Sequence, residues 1–145
     1  MKVTIEQTEN HEKEVVIRCK EIDEEILQIK KLIEAYGTRI EGKLNHETVF
    51  IKLTDVYYFE YVEYHVYAYT KDLVYQVAYS LERLEELYSK DGFFRCAKAM
   101  LVNLDCVEKL KSIIGNKIVA TLDNKEEIII SRHYSKLLRA YLKAE

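Results

Sequence analysis

The strongest constraint on the fold is a period-two alternation of apolar residues that dominates the chain from Glu47 to Ile130. Short apolar segments alternate with turn candidates there, and a strand directs successive side chains to opposite faces of a sheet. The twelve tyrosines agree with this pattern, because tyrosine favours pleated surfaces. The sequence therefore predicts a mainly β fold with helical additions. In chain order, the predicted strands are Thr48–Leu53, Val56–Val62, His65–Thr70, Leu73–Tyr79, Phe93–Cys96, Ala99–Leu104, Cys106–Ile114, Lys117–Leu122 and Glu127–Ile130.

Two short helices interrupt and close the series of strands. Leucines recur at helical spacing in SLERLEELY, where Ser80 is a suitable N-cap. Apolar residues return to the same spacing in HYSKLLRAYL, directly after Ser131. We expect a two-turn helix after Ser80 and a terminal helix after Ser131.

The first part of the chain has a different organisation. Met1–Gln7 and Glu14–Arg18 read as two short strands around a turn at Asn10–Lys13, and Glu21–Tyr36 has the apolar spacing of an amphipathic helix. Gly37 stands where a helix C-cap is expected. The sequence therefore predicts a small N-terminal β-β-α unit in residues 1–45 and a larger domain in residues 46–145.

Several classes of protein are excluded by simple patterns. No apolar run approaches the roughly 18 residues of a membrane span, and charged residues interrupt the start of the chain, so we expect neither a membrane helix nor a secretory signal. The three cysteines, Cys19, Cys96 and Cys106, are odd in number and lack C-x-x-C spacing. A cytoplasmic protein with free thiols is the prediction that follows.

Catalytic and metal motifs are absent from the sequence. No histidine lies within four residues of another histidine or of a cysteine, and no phosphate-binding glycine motif occurs. A Cys–His pair that is distant in the chain stays open, although Cys96 in its apolar strand is better explained as a buried, inert thiol. We predict no metal, no cofactor, no catalytic residue and no enzyme activity.

The charge is unevenly distributed along the chain. The net charge is −3, but residues 90–145 carry eleven Lys/Arg against seven Asp/Glu, a net of +4. The C-terminal third is therefore the basic part of an acidic chain, and it is the part best suited to an anionic partner.

The block from Thr48 to Tyr141 resembles a LytTR-type DNA-binding domain, the output module of many bacterial response regulators. The resemblance is carried in the correct order by IKLTDVYYFEYVEYHVYAYTKD, SLERLEEL, FFRCAKAMLVNLDCVEKL and IIISRHYSKLLRAYL. It departs from the family pattern at Ala97, where His or Ser is usual, and at Ala99-Met100, where a hydroxyl residue is usual. These departures bear on the DNA sequence that is recognised more than on DNA binding itself.

The resemblance implies an elongated stack of β-sheets of about ten strands that contacts DNA through loops rather than through a recognition helix. Carried over by position, three loops would enter successive grooves: Glu63-Tyr64-His65, Ala97-Lys98 and Arg132-His133. The candidate DNA-binding residues are Tyr64, His65, Lys98, Arg132 and His133. Loop lengths differ among members, so the sequence does not decide between Tyr64 and His65 for the first contact.

The chemistry of these side chains suits nucleic acid independently of the family. Arg132 can donate a bidentate pair to guanine or clamp a phosphate, and Lys98 is a point charge suited to a phosphate. His65 can donate to a base acceptor or a phosphate, with a charge that varies near neutral pH.

The short region ahead of the block resembles the stand-alone subfamily, which lacks a receiver and is often encoded beside a small membrane protein. Ile17-Arg18-Cys19-Lys20-Glu21 matches a segment typical of that subfamily. We therefore expect a sequence-specific transcriptional regulator that binds double-stranded DNA as a homodimer formed by residues 1–45, with a small membrane protein as a possible partner. The alternative is a protein-interaction module or antagonist of other regulators that keeps the fold without useful DNA affinity.

Overall fold

The computed structural model describes residues 1–9 and 14–144, in which three α-helices and ten strands form. The helices are α1 (Glu24–Tyr36), α2 (Leu81–Tyr88) and α3 (Arg132–Ala144). The strands are β1 (Arg39–Leu44), β2 (Glu47–Lys52), β3 (Tyr58–Val62), β4 (His65–Tyr69), β5 (Val74–Val77), β6 (Phe93–Ala97), β7 (Met100–Asn103), β8 (Val107–Ile113), β9 (Lys117–Leu122) and β10 (Glu127–Ile130). The predicted mainly β fold with helical additions is confirmed.

The strands form two antiparallel sheets. The larger sheet has seven strands in the order β2-β1-β5-β4-β3-β7-β6, and the smaller has three in the order β10-β9-β8. The predicted Ser80 cap is confirmed, since its side chain accepts a hydrogen bond from the Arg83 backbone N–H at 3.1 Å, and α3 begins directly after Ser131 as expected. Gly115 and Asn116 both adopt positive φ in the β8–β9 turn, a conformation that these two residue types tolerate well.

Two apolar clusters form the interior, one for each sheet. The first packs α2, through Leu81 and Leu84, onto the larger sheet around Phe59 and Leu101. The second places α3, through Leu138, on the smaller sheet and on the adjoining part of β6 and β7. The members of the second cluster with no exposed area are Cys96, Val102, Ala120, Leu122, Ile130 and Leu138.

Hydrogen bonds from tyrosines connect the two sheets. The Tyr57 hydroxyl donates to Asp123 Oδ1, and the Tyr58 hydroxyl donates to Glu126 Oε1 at 2.8 Å. Both carboxylates lie at the β9–β10 turn of the smaller sheet, whereas Tyr58 begins β3 of the larger one. Asn103, which is buried on β7, donates through Nδ2 to the Val56 carbonyl at 3.0 Å and fixes the segment that leads into β3 on the larger-sheet side of this junction. The sheets are therefore joined by polar contacts as well as by apolar packing.

We expect Tyr57→Phe to lower the free energy of unfolding by about 1 kcal/mol at neutral pH, because the hydrogen bond to Asp123 is lost. That bond also raises the pKa of Tyr57 from 10.0 to about 12, with burial adding to the shift. The folded state therefore keeps the phenol proton at a pH where the unfolded chain releases it, so this contribution is complete below pH 10 and is lost between pH 10 and about 12. Urea unfolding across this range would test the effect, with Tyr79→Phe as an exposed control. A loss for Tyr57→Phe that is equal at pH 8 and pH 12 would contradict this explanation.

The predicted N-terminal β-β-α unit is wrong in its two strands. Residues 1–8 and 14–19 form no strand, and the apolar side chains of Val3, Ile5 and Val15 are exposed. The alternation of apolar and polar residues was the reason for predicting strands in these segments. A strand is stable only when its backbone N–H and C=O groups pair with a neighbouring strand. The predicted turn at Asn10–Lys13 lies outside the described residues.

The helical part of the N-terminal prediction is confirmed as α1. Its N-cap is Asp23, whose Oδ1 accepts from the Ile26 N–H at 2.9 Å, and Ala35 is its one buried residue. Strand β1, which was not predicted, follows at once and pairs with β2. The division at residue 45 stays a prediction, although it falls within the β1–β2 hairpin.

Candidate nucleic-acid interface

The structure brings three of the five candidate residues to one cleft. Tyr64 and His65 come from the β3–β4 turn, and Lys98 comes from the β6–β7 turn. Tyr61 and Tyr79 also line this cleft of about 700 Å³, which we call the tyrosine cleft. The turn at Tyr64 and the turn at Lys98, 34 residues apart in sequence, therefore present an aromatic ring, an imidazole and an ammonium group to the same space.

The β3–β4 turn holds Tyr64 in a strained conformation. Val62 pairs with His65, so the turn has two residues, and Glu63 and Tyr64 adopt φ of 47° and 72°. Two-residue hairpin turns of this kind normally use glycine, asparagine or aspartate, because a larger side chain is disfavoured at positive φ. Tyr64 is nevertheless 89% exposed. The turn thus presents a large aromatic side chain to solvent despite an unfavourable backbone.

His65 is held by a neighbouring strand. Its Nδ1 lies 3.0 Å from Nε2 of Gln76 on β5, and its ring meets Tyr67 edge-on at 6.4 Å. When the Gln76 amide donates to Nδ1, the proton of the neutral imidazole is on Nε2. His65 can then present that N–H to an acceptor, but Tyr64 at the tip of the turn has the greater reach.

Arg95 fixes the turn that carries Lys98, a role that the sequence did not reveal. Its Nε donates to the Ala97 carbonyl at 3.0 Å, and its Nη2 donates to the Lys98 carbonyl. Its Nη1 also lies 3.3 Å from Glu85 Oε1 on α2, and the side chain is only 16% exposed. A guanidinium that binds two carbonyls and a carboxylate restricts the turn while leaving Lys98 exposed.

The acidic residues near the tyrosine cleft are partly neutralised within the protein. Glu85 pairs with Arg95, and Glu82 lies 3.8 Å from the same guanidinium. Glu60 accepts a hydrogen bond from the Tyr69 hydroxyl at 3.0 Å, and burial together with this bond raises the pKa of Tyr69 to about 12. The Arg95 guanidinium therefore reduces the repulsion that Glu82 and Glu85 on α2 would exert on an anionic ligand in the cleft.

Arg132 and His133 lie at a second cleft, at the start of α3. This α3 cleft of about 420 Å³ is lined by Arg132, His133, Lys136, Arg139 and Asn116. Arg139 donates through Nη1 to the Asn116 carbonyl at 3.2 Å, which connects α3 to the β8–β9 turn. Arg132, the first residue of α3, stands at the positive end of the helix dipole, and Lys136 and Arg139 add two cations further along the helix, an arrangement that favours phosphate.

A contact between α3 and β6 links the structural supports of the two clefts. The Phe94 ring on β6 lies 5.6 Å from the Tyr141 ring on α3.

Cys96, which is also on β6, is fully buried, and burial raises the pKa of its thiol to about 12. The predicted burial of this thiol is confirmed, and at neutral pH it is protonated and shielded from solvent.

Within residues 1–9 and 14–144, no three His, Cys, Asp or Glu side chains lie close enough together to hold a metal ion. None of the helices in this described part of the chain is long and apolar enough to cross a bilayer.

The family is decided by a sequence comparison. A family model described as the LytTr DNA-binding domain matches residues 46–143. The chain belongs to this family. The resemblance inferred from the residues is thereby confirmed, and membership indicates a DNA-binding regulator.

A solved structure supports the LytTr fold. The chain is similar to the LytTr DNA-binding domain of a protein described as a methyl-accepting/DNA response regulator from Bacillus cereus, with a TM-score of 0.68 and 24% sequence identity. The similarity covers 72% of this chain and 96% of that structure. No curated protein matches the chain closely enough to add a further comparison.

The basic side of α3 is the part of the LytTr candidate surface that the sequence analysis missed. Arg132, Lys136 and Arg139 follow one another at four- and three-residue steps, which places them along one side of a helix. That spacing was visible in the sequence. Asn116 was not identifiable in this way, because only the folded chain brings the β8–β9 turn to α3.

Proposed function

We propose that this protein is a sequence-specific transcriptional regulator that contacts double-stranded DNA through the tyrosine cleft and the α3 cleft. The observation that carries the proposal is the convergence of Tyr64, His65 and Lys98, from two separate turns, on one cleft. Aromatic, imidazole and ammonium groups in one place suit base edges and phosphates together.

The α3 cleft supplies the second half of the proposed interface. Its cations can bind phosphates, and Arg132 can also read guanine from the start of the helix. Because the whole chain has a net charge of −3, its attraction to DNA depends on where these cations stand. We therefore expect modest affinity from one copy and stronger binding from two.

A salt-titrated binding assay on the DNA flanking the protein's own reading frame tests the proposal. Binding through phosphates should weaken linearly in log K against log salt, with a slope set by the number of phosphate contacts. A complex that does not respond to salt, or no complex at all, would overturn it. Absence of any complex would favour the alternative function, a protein-interaction module without useful DNA affinity.

We expect Lys98→Ala to weaken binding to specific and random DNA equally and to lower the magnitude of the salt slope by about one unit, because it removes one phosphate contact. Lys71→Ala is the matched control, since Lys71 is an exposed lysine that lines neither proposed cleft. The two variants can be compared by fluorescence anisotropy at four or more salt concentrations. Equal slopes for both variants would remove Lys98 from the interface.

The first-turn contact is tested by single substitutions. We expect Tyr64→Ala to weaken specific binding more than His65→Ala does, because Tyr64 stands at the exposed tip and His65 is engaged with Gln76. Competition against random DNA would measure the difference. Unchanged affinity in both variants would exclude the β3–β4 turn from the interface.

A further inference from the structure

The tip of the β8–β9 hairpin carries an isoleucine that the core of the protein does not use. Ile113 of β8 pairs with Lys117 of β9, so the turn between them has three residues, Ile114, Gly115 and Asn116. Ile114 is 97% exposed, and no other large apolar side chain in residues 1–9 and 14–144 is more exposed. Single exposed apolar side chains are common on protein surfaces, so the surroundings of Ile114 decide what it can bind.

The turn that carries Ile114 is fixed to the helix of the α3 cleft. Arg139 of α3 donates through Nη1 to the Asn116 carbonyl at 3.2 Å, and Asn116 lines the α3 cleft together with Arg132. Gly115 and Asn116 adopt φ of 87° and 59°, which these two residue types tolerate at little cost. Ile114 therefore stands on a preformed turn beside the cations of the α3 cleft.

The half of the hairpin nearest to this tip is basic, although the whole chain has a net charge of −3. Residues 109–122 hold three lysines and no Asp or Glu. The three exposed lysines are Lys109, Lys111 and Lys117. The nearest acidic residue of β8 is Glu108, which lies at the opposite end of the hairpin and pairs with Lys125 at 2.9 Å. The exposed isoleucine thus lies in a positively charged surface, which favours a polyanionic partner.

Double-stranded DNA offers both kinds of surface that this tip requires. Its phosphates attract the lysines of the hairpin and the cations of the α3 cleft, and the faces of its stacked bases are apolar. Several proteins that bind the minor groove insert an isoleucine, a leucine or a phenylalanine between two base pairs, which unstacks them and kinks the duplex. One isoleucine is, by contrast, too little apolar area to hold the chain on a lipid bilayer.

We propose that Ile114 is a wedge that enters the minor groove of DNA bound at the α3 cleft and partly unstacks one base step. The wedge rests on the proposed function and adds to it a further contact and a shape of the bound DNA. The bond from Arg139 to the Asn116 carbonyl supports the wedge, because a turn that is already ordered loses less conformational freedom on binding. Unstacking costs least at the flexible steps TA and CA/TG, so we expect the kink at one of them.

Permanganate footprinting tests the wedge, because permanganate oxidises thymines that are unstacked. The probe is DNA flanking the protein's own reading frame, bound by the full chain. We expect a reactive thymine within the protected segment for the natural chain and for Ile114→Leu, which keeps an apolar side chain, but none for Ile114→Ser. Ile129→Ser is the control, because Ile129 is 63% exposed on β10 and lines neither proposed cleft.

Affinity and salt dependence distinguish a wedge from a structural role. Ile114→Ser should weaken binding about tenfold, because its side chain no longer buries apolar area on the DNA, and the salt slope should stay the same, because no phosphate contact is lost. Thermal unfolding should also stay the same, since Ile114 is exposed in the free protein. A loss of affinity together with a lower unfolding temperature would make Ile114 a structural residue and overturn the wedge.

Failure of the wedge and failure of the proposed function give different results. A natural chain that protects DNA without a reactive thymine, or equal effects of Ile114→Ser and Ile129→Ser, would overturn the wedge and leave the proposed function intact. A natural chain that protects no DNA would overturn both.

Discussion

Arg132→Ala is expected to cost about 1–3 kcal/mol of binding free energy on a specific site and much less on random DNA, if Arg132 donates to a base edge. Arg132 is the first residue of α3 and its side chain is exposed, so the guanidinium can enter a groove of the DNA. The positive end of the helix dipole lies beside it and favours the anionic phosphate backbone. Competition between specific and random DNA would separate the two contributions. Arg83→Ala is the control, because this exposed arginine pairs with Glu86 on α2. Equal losses on both DNAs would make Arg132 a phosphate contact only.

Leu138→Ala is expected to lower the free energy of unfolding by about 2–5 kcal/mol, the range for deleting a fully buried leucine side chain. Leu138 has no exposed area and holds α3 against the second apolar cluster. The adjacent Leu137 is 46% exposed, so Leu137→Ala should change stability by no more than about 0.5 kcal/mol.

Urea unfolding of both leucine variants would measure this difference. Because α3 carries Arg132 and Arg139, we also expect Leu138→Ala to weaken DNA binding before the larger sheet unfolds. Similar stability losses for the two neighbouring substitutions would contradict the position of Leu138 in the core.

Much of the fold from residue 47 onward was predictable because local and tertiary preferences agree there. Alternation, turn residues and caps all indicated the same elements, including the Ser80 cap and the β8–β9 turn. The segments around Val3 and Val15 show the opposite case, since their alternation found no pairing strand. Strand β1 was missed because charged residues flank Gly42, which weakens the local β pattern. Its place depends on packing, since a Cβ on Gly42 would lie 2.7 Å from Ile51 Cδ1.

The candidate site was predictable as three turns but not as a surface. The family pattern indicated which turns to inspect, whereas the grouping of Tyr64 with Lys98 depends on the order of strands in the sheet. Arg95 could not be assigned its role from sequence, because all its partners are carbonyls and carboxylates brought near by folding. The position of Lys136 is different, because its four-residue spacing from Arg132 places both on one side of a helix and is visible in the sequence alone.

In the β3–β4 turn, the exposure of the Tyr64 side chain is combined with a backbone conformation that lowers the stability of the domain. Left-handed geometry costs a residue other than glycine about 1–2 kcal/mol, and the turn incurs this cost at Glu63 and again at Tyr64. Asn-Gly in the same positions would close the hairpin with less strain but would leave no ring beyond the sheet. The domain is therefore less stable than its topology permits, and this loss of stability accompanies the phenol that the turn carries at its exposed tip.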